Sequence, residues 1–163
     1  MLTLHVATAD DAAAVAELMT ALNKAVGGPP GEDQVLVSAD QARARLQAMA
    51  ASEHVLLAFV DAAPAGLLSL RIVAYLSQDA PYAEVTELYV MPEHQRTGIG
   101  RLLMAEAEHT ARGRGCTYVH VNAWHTNEGA HAFCRAVGYE PLQVGFEKRL
   151  PPKSSAKRRR AEG

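Results

Sequence analysis

The stretch "QRTGIG", Gln95 to Gly100, joins a strand-like apolar run to a helical apolar run. Proline lacks the N–H that a central strand needs, so Pro92 stops the strand "EVTELYVM". Beyond the glycines, Ile99, Leu102, Leu103 and Ala107 recur at helical spacing as a buried stripe. Glu108 and Arg112 form an outward i,i+4 pair, and Gly113 and Gly115 close the helix. The first N–H groups of a helix have no intrahelical acceptor. With Gly98 and Gly100 bare of side chains, an anion can approach those groups closely. The turn reads as a pyrophosphate seat, and it requires a strand that feeds directly into a helix at the sheet's rim.

The other elements follow from periodicity. "LTLHVA" (residues 2–7) alternates like a strand, and Asp10-Asp11 open a helix through "AAAVAELMTALNKAV", with Val15, Leu18, Met19 and Leu22 on one face. That helix ends at Gly27-Gly28, and "GGPPGEDQ" is a loop. Ser38 or Asp40 opens a second helix containing Ala42, Leu46 and Met49. "HVLLAFVD" and "AGLLSLRIVAYL" flank the turn "DAAP" as a hairpin. After the glycine turn and its helix come a strand "TYVHVNAW", a helix after Asn127 and a last strand near "LQVGFEKRL". The order β-α-α-β-β-β-α-β-α-β predicts an α/β (α+β) domain: a mixed, mostly antiparallel sheet flanked by helices, with one strand–helix–strand crossover.

Composition narrows the class. A chain of 163 residues, nearly half apolar and about a fifth charged, suits a single domain with a substantial core. We assign residues 1–152 to that domain and 153–163 to a basic, disordered tail after Pro151-Pro152. The net charge is −2, of which the tail contributes +4, so the body carries −6 and lacks the basic face that nucleic acid requires. No apolar run approaches the roughly 18–20 residues of a membrane span. The opening residues show no signal-peptide pattern, and two cysteines make no disulfide framework, so a reduced cytoplasmic setting is expected.

Three phosphate-binding patterns compete for the turn. The dinucleotide-binding pattern needs a third glycine where Leu103 stands, and the P-loop needs Lys-Ser/Thr where "RL" stands. A third, Gln/Arg-x-x-Gly-x-Gly/Ala after a Val-x-Pro strand end, is met by Gln95, Arg96, Gly98 and Gly100, with Val90 and Pro92 in place. A second signature, Asn-x-x-Ala-x-x-Phe-Tyr followed by Gly-Phe/Tyr, appears as Asn127, Ala130 and Phe133, with Cys134 replacing the tyrosine, then Gly138-Tyr139. On these residues the chain resembles the GNAT superfamily of N-acetyltransferases over about residues 2–150.

The resemblance implies acetyl-CoA as cosubstrate, no metal, and a primary amine as acceptor. By the same resemblance, the backbone of Leu88 and Val90, with Tyr89 between them, holds the pantetheine arm like an added strand. Gln95, Arg96, Thr97, Gly98, Ile99 and Gly100 hold the pyrophosphate, and Asn127 contacts the pantetheine or thioester region. Arg101 either reaches a CoA phosphate or is a solvated helix arginine. "ELYVM" and "TYVHV" are expected to splay so that the arm can enter.

An attacking ammonium (pKa about 10) must lose a proton before it has a lone pair to offer. Glu87 and Glu84 are the base candidates. The resemblance implies an acid that faces the acceptor amine three residues before the strand-end Val90, which favours Glu87, or further back, near Glu84. Simple alternation puts the two on opposite faces unless a bulge intervenes. Cys134 is a weaker proton donor than the tyrosine it replaces, or a small packing residue. Cys116, His120, His125, His131 and Cys134 cluster in sequence, but spacings of 4, 5, 6 and 3 fit no common zinc pattern. His120 and Trp124 share strand parity and are candidates for the acceptor cleft. Tyr139 reads as core.

Three function classes fit: an acetyl-CoA-dependent N-acetyltransferase working by direct attack in a ternary complex, a catalytically weak acetyl-CoA-binding or regulatory protein, and an adaptor using the basic tail. Glu32, Asp33, Asp79, Glu84 and Glu87 in or beside the loops favour a cationic acceptor such as an aminoglycoside, a polyamine or a lysine side chain. Homodimers are common in the family the chain resembles, and nothing in the sequence establishes one.

Overall fold

In the computed structural model, which describes residues 1–26, 36–148 and 150, five strands form one sheet in the order β1-β2-β3-β4-β5. They are β1 (Leu2–Val6), β2 (Glu53–Val60), β3 (Ala63–Val73), β4 (Tyr82–Val90) and β5 (Val119–Val121). The helices are α1 (Ala12–Val26), α2 (Ala39–Met49), α3 (Ile99–Gly113) and α4 (Glu128–Ala136). The first four strands pair antiparallel, and β5 joins β4 in parallel after the α3 crossover. This is the mixed, mostly antiparallel sheet that the sequence predicts.

Local chemistry sets the element ends. Thr8 caps a 3-10 turn that leads into α1, with Asp11 answering its backbone N–H in a capping box. Ser38, rather than Asp40, caps α2, and Gln41 closes its box. The β2–β3 turn is Asp61-Ala62, both at positive φ (49° and 68°), the twist that a two-residue hairpin loop demands.

The sheet buries both faces. On one, Leu56, Leu68, Leu70 and Val85 pack against Ile99, Leu103, Met104 and Ala107 of α3, with Phe133 and Tyr139 alongside. On the other, Val55, Leu57 and Leu67 pack against Val15 and Leu18 of α1 and Ala42 of α2. The α3 stripe differs from expectation at one position. Leu102 is 45% exposed, because the buried line runs through residues 99, 103, 107 and 111 and takes Met104 as its flank.

Two further expectations change. The strand expected over "TYVHVNAW" shrinks to Val119–Val121. No strand forms at "LQVGFEKRL" among the described residues, and Leu142, Val144 and Phe146 are 80–96% exposed. Alternating apolar residues make a strand only where a neighbour supplies a ladder, and three-residue β5 supplies little. The "GGPPGEDQ" loop, including Glu32 and Asp33, and the tail lie outside the described residues.

Candidate active site

The outer edge of β4 is the first component. Met91 N–H donates to Ala65 O on the β3 side at 2.9 Å. Backbone groups alternate sides along a strand, so Tyr89 also faces β3, whereas Leu88 and Val90 face away. β5 pairs with β4 only at Ala83, Glu84 and Val85, so the two strands part beyond that point, as the sequence reading expects. Gln95 Nε2 donates to Val90 O at 3.0 Å, tying the start of the glycine turn to the strand end.

The turn is built tightly. Pro92–His94 form a single 3-10 turn, and Thr97 Oγ1 donates to His94 O at 2.6 Å. Arg96 and Gly98 both adopt positive φ (65° and 94°). Leu102 N–H donates to Gly98 O at 3.1 Å as the first bond of the α3 ladder, so the N–H groups of Ile99, Gly100 and Arg101 precede that ladder. The two glycines serve different needs. Gly98 carries the left-handed turn, and a Cβ there would meet nothing within 4 Å, whereas a Cβ at Gly100 would lie 3.3 Å from the Phe133 ring. Arg101 Nη1 donates to Ala136 O at 3.0 Å at the end of α4, and Asn127 Oδ1 caps α4 by accepting from Ala130 N–H at 3.0 Å.

The second component is the sheet face beneath α1 and α2. Between Val85 and Glu87 the β3–β4 register slips, so that Glu84 opposes Arg71 while Glu87 opposes Ser69. The extra residue, Thr86, makes a β-bulge. Because Ser69 and Arg71 share a face of β3, the bulge puts Glu84 and Glu87 on one face, where plain alternation would separate them.

The two carboxylates nevertheless differ. Glu84 accepts from Asn122 Nδ2 at 2.6 Å and lies 3.9 Å from Arg71 Nη1. Among the described residues Glu87 forms no side-chain hydrogen bond or close ion pair, and the Arg45 charge acts on it from beyond salt-bridge distance. Burial pushes the Glu87 carboxyl above its usual range, the charge of Glu53 pushes it further, and Arg45 partly offsets both.

Glu53 was not legible as a site residue. Its side chain, 7% exposed, accepts from Ser69 Oγ at 2.8 Å and from Arg71 Nε and Nη2 at 3.1 and 2.9 Å. The single serine within the run "GLLSL" was the available signal, since a polar group in a buried strand needs a partner. Arg45, Glu53, Arg71, Thr86 and Glu87 line a cleft of about 350 Å³ whose floor is Val55 and Leu67.

The remaining candidates lie elsewhere. Cys134 is half-buried on α4, and burial raises its thiol pKa, as it does for Cys116. Tyr139 packs on the α3 face and donates to Glu108 Oε1 at 3.2 Å; burial and that carboxylate raise its pKa. Trp124 is 63% exposed beyond the end of β5. Among the described residues no group of three or more His, Cys, Asp or Glu side chains is placed to hold a metal ion. Nor is any helix there long and apolar enough to cross a membrane.

A mixed sheet, split at its parallel pair beside a glycine turn that opens the crossover helix, defines the N-acyltransferase class of α/β folds. The sequence matches the acetyltransferase (GNAT) family over residues 19–139, and the chain belongs to that family of N-acetyltransferases, which use acetyl-CoA as cosubstrate. It is 29% identical over 109 residues to an aminoglycoside N(6′)-acetyltransferase type 1 of Acinetobacter haemolyticus, covering 64% of this chain and 70% of that protein. It is 37% identical over 78 residues to the Klebsiella aerogenes enzyme of the same description, covering 47% of this chain and 51% of the relative. A proposed acetyltransferase of Agrobacterium tumefaciens strain C58 superposes with a TM-score of 0.77 at 25% identity, covering 91% of this chain and 99% of its own.

Proposed function

We propose that this enzyme transfers an acetyl group from acetyl-CoA to a primary amine of a cationic amino sugar, by direct attack in a ternary complex. The observation that carries the reading is Glu87: an unpaired carboxylate, raised in pKa, on the same strand as the outward-facing backbone of Leu88 and Val90. The cosubstrate, when bound, supplies an activated acetyl thioester. Leu88 and Val90 bind its pantetheine arm through their backbone groups. The N–H groups at Gly98–Arg101 meet the pyrophosphate, where the open space before Gly98 suits a close anion. Arg101 and Asn127 support the seat indirectly, through their bonds to α4.

Glu87 accepts the ammonium proton of the acceptor, directly or through one water. Its raised pKa brings it nearer that of the amine, which eases the transfer. Glu84, bonded to Asn122 and close to Arg71, is a positioning charge rather than the base. The Val90 N–H donates to the thioester oxygen as charge develops there. Cys134 serves packing: burial keeps its thiol protonated, which disfavours a covalent acetyl-cysteine route.

The aminoglycoside names of two partial relatives support an amino sugar as the acceptor, as do the carboxylates of the cleft. The free thiols fit a cytoplasmic setting. The test is thiol release from acetyl-CoA with a panel of amines: aminoglycosides, polyamines and lysine peptides. Turnover fastest with aminoglycosides upholds the reading. CoA binding without thiol release for any amine replaces it with a sensor role.

A further inference from the structure

At the far end of the same sheet face, four rings meet that no part of the proposed chemistry uses. Tyr82 of β4 lies 5.4 Å from Tyr118, stacked at 15°, and 4.7 Å from Tyr75; His120 lies 5.0 Å from Tyr82 and 4.9 Å from Tyr118. All four are half-buried. Tyr118 sits next to Val119 and its phenol is pushed up to about 12, first by a hydrogen bond to Tyr75 and then by burial.

The patch is continuous with the cleft. Register pairs Glu53 with Arg71, Arg71 with Glu84, and Glu84 with His120, so one row of side chains crosses four strands from the cleft to the rings. Along β4, Tyr82, Glu84 and Glu87 share the face, and at about 3.3 Å per residue Tyr82 lies roughly 13–16 Å from Glu87. The charges near the row are Glu53, Glu84 and Glu87 against Arg71 and Arg45, a formal excess of one carboxylate. Aromatic faces beside carboxylates attract ammonium groups and the apolar faces of sugar rings.

We infer that Tyr75, Tyr82, Tyr118 and His120 form a distal acceptor subsite, which takes a remote ring of a multi-ring cationic amino sugar while its reacting amine sits at Glu87. The inference rests on the reading of Glu87 as the acceptor end. A single amino-sugar ring anchored at Glu87 does not span the distance to the patch; several linked rings do. The subsite therefore selects acceptors by length.

The experiment compares kanamycin A with 6-amino-6-deoxyglucose, its isolated reactive ring. Tyr118→Leu keeps apolar bulk and removes the π-face; Tyr118→Phe keeps the ring. The ratio of kcat/KM for kanamycin over the single ring should fall at least about tenfold in Tyr118→Leu, the range of one or two desolvated cation–π contacts. Tyr118→Phe should restore most of it. An unchanged ratio overturns the subsite. So does a change in sedimentation without a change in ratio, which would make the patch a contact between copies. Should the wild type acetylate neither compound, calorimetry with kanamycin separates the two readings. Binding that weakens in Tyr118→Leu upholds the subsite while the proposed reaction fails, and absence of binding overturns both.

Discussion

The two sides of β4 are built by different rules. The outer edge and its glycine turn come from one unbroken segment, Leu88 to Arg101, in which a proline, two positive-φ residues and a helix start fix the backbone. The face proposed for the acceptor takes Glu53 from β2, Ser69 and Arg71 from β3, Glu84 and Glu87 from β4, and His120 from β5. The first presents backbone groups, which any residue carries, so its sequence is constrained mainly where side chains must be absent. The second presents side chains, and each depends on the register of a neighbouring strand. Cofactor and acceptor recognition should therefore fail independently.

The largest expected effect separates chemistry from cofactor binding. Glu87→Gln should lower kcat by about 10² or more, equal to about 2.7 kcal/mol of barrier, while the Kd for acetyl-CoA stays within twofold. The deficit should shrink at high pH, where free amine exists without a base. A loss of CoA affinity in this variant, measured by calorimetry, would merge the two sides of the strand.

Next in size is the converse. Gly98→Val forces a branched residue to φ 94°, a strain of about 1–2 kcal/mol, and displaces the N–H groups of the turn. CoA should bind about 2 kcal/mol more weakly, about thirtyfold in Kd, without a matching change in aminoglycoside affinity. Unchanged CoA binding would remove the pyrophosphate assignment. Gly100→Val is the poorer probe, because its side chain meets Phe133 and disturbs packing as well.

The smallest effect tests the acceptor face alone. As the proposed base, Glu87 would work deprotonated, and burial and Glu53 hold its pKa up, so kcat/KM should fall as pH drops through that raised value. Glu53→Gln removes an upward push and should move this acidic limb to lower pH. Arg45→Gln removes the downward push and should move it to higher pH. Shifts of the same sign in both variants would point to a general disturbance of the cleft rather than to charge acting on Glu87.

Much of the fold could be read before any coordinates. The hairpin turn, the α3 crossover and the strand stop at Pro92 are each decided within a few residues of chain, and the α2 cap was narrowed to Ser38 or Asp40. The acceptor face could be read only in part. Glu87 stood out through the family resemblance, as the acid three residues before Val90, but Glu53 and Tyr118 looked like ordinary residues at strand starts, and nothing near them in the chain announces a partner. "LQVGFEKRL" shows the opposite error, since good alternation there finds no ladder among the described residues.

The sequence by itself determined the glycine turn, the order of elements as far as α4 and the mixed sheet, because proline, glycine and hydrophobic period act through local backbone geometry and burial. Only the tertiary structure decided which face each β4 carboxylate occupies. One bulge at Thr86 moves Glu87 beside Glu84, and strand register then places Ser69, Arg71, Glu53 and His120 around them. Register is a long-range property, set by packing across the sheet, and a single inserted residue turns every later side chain to the other face.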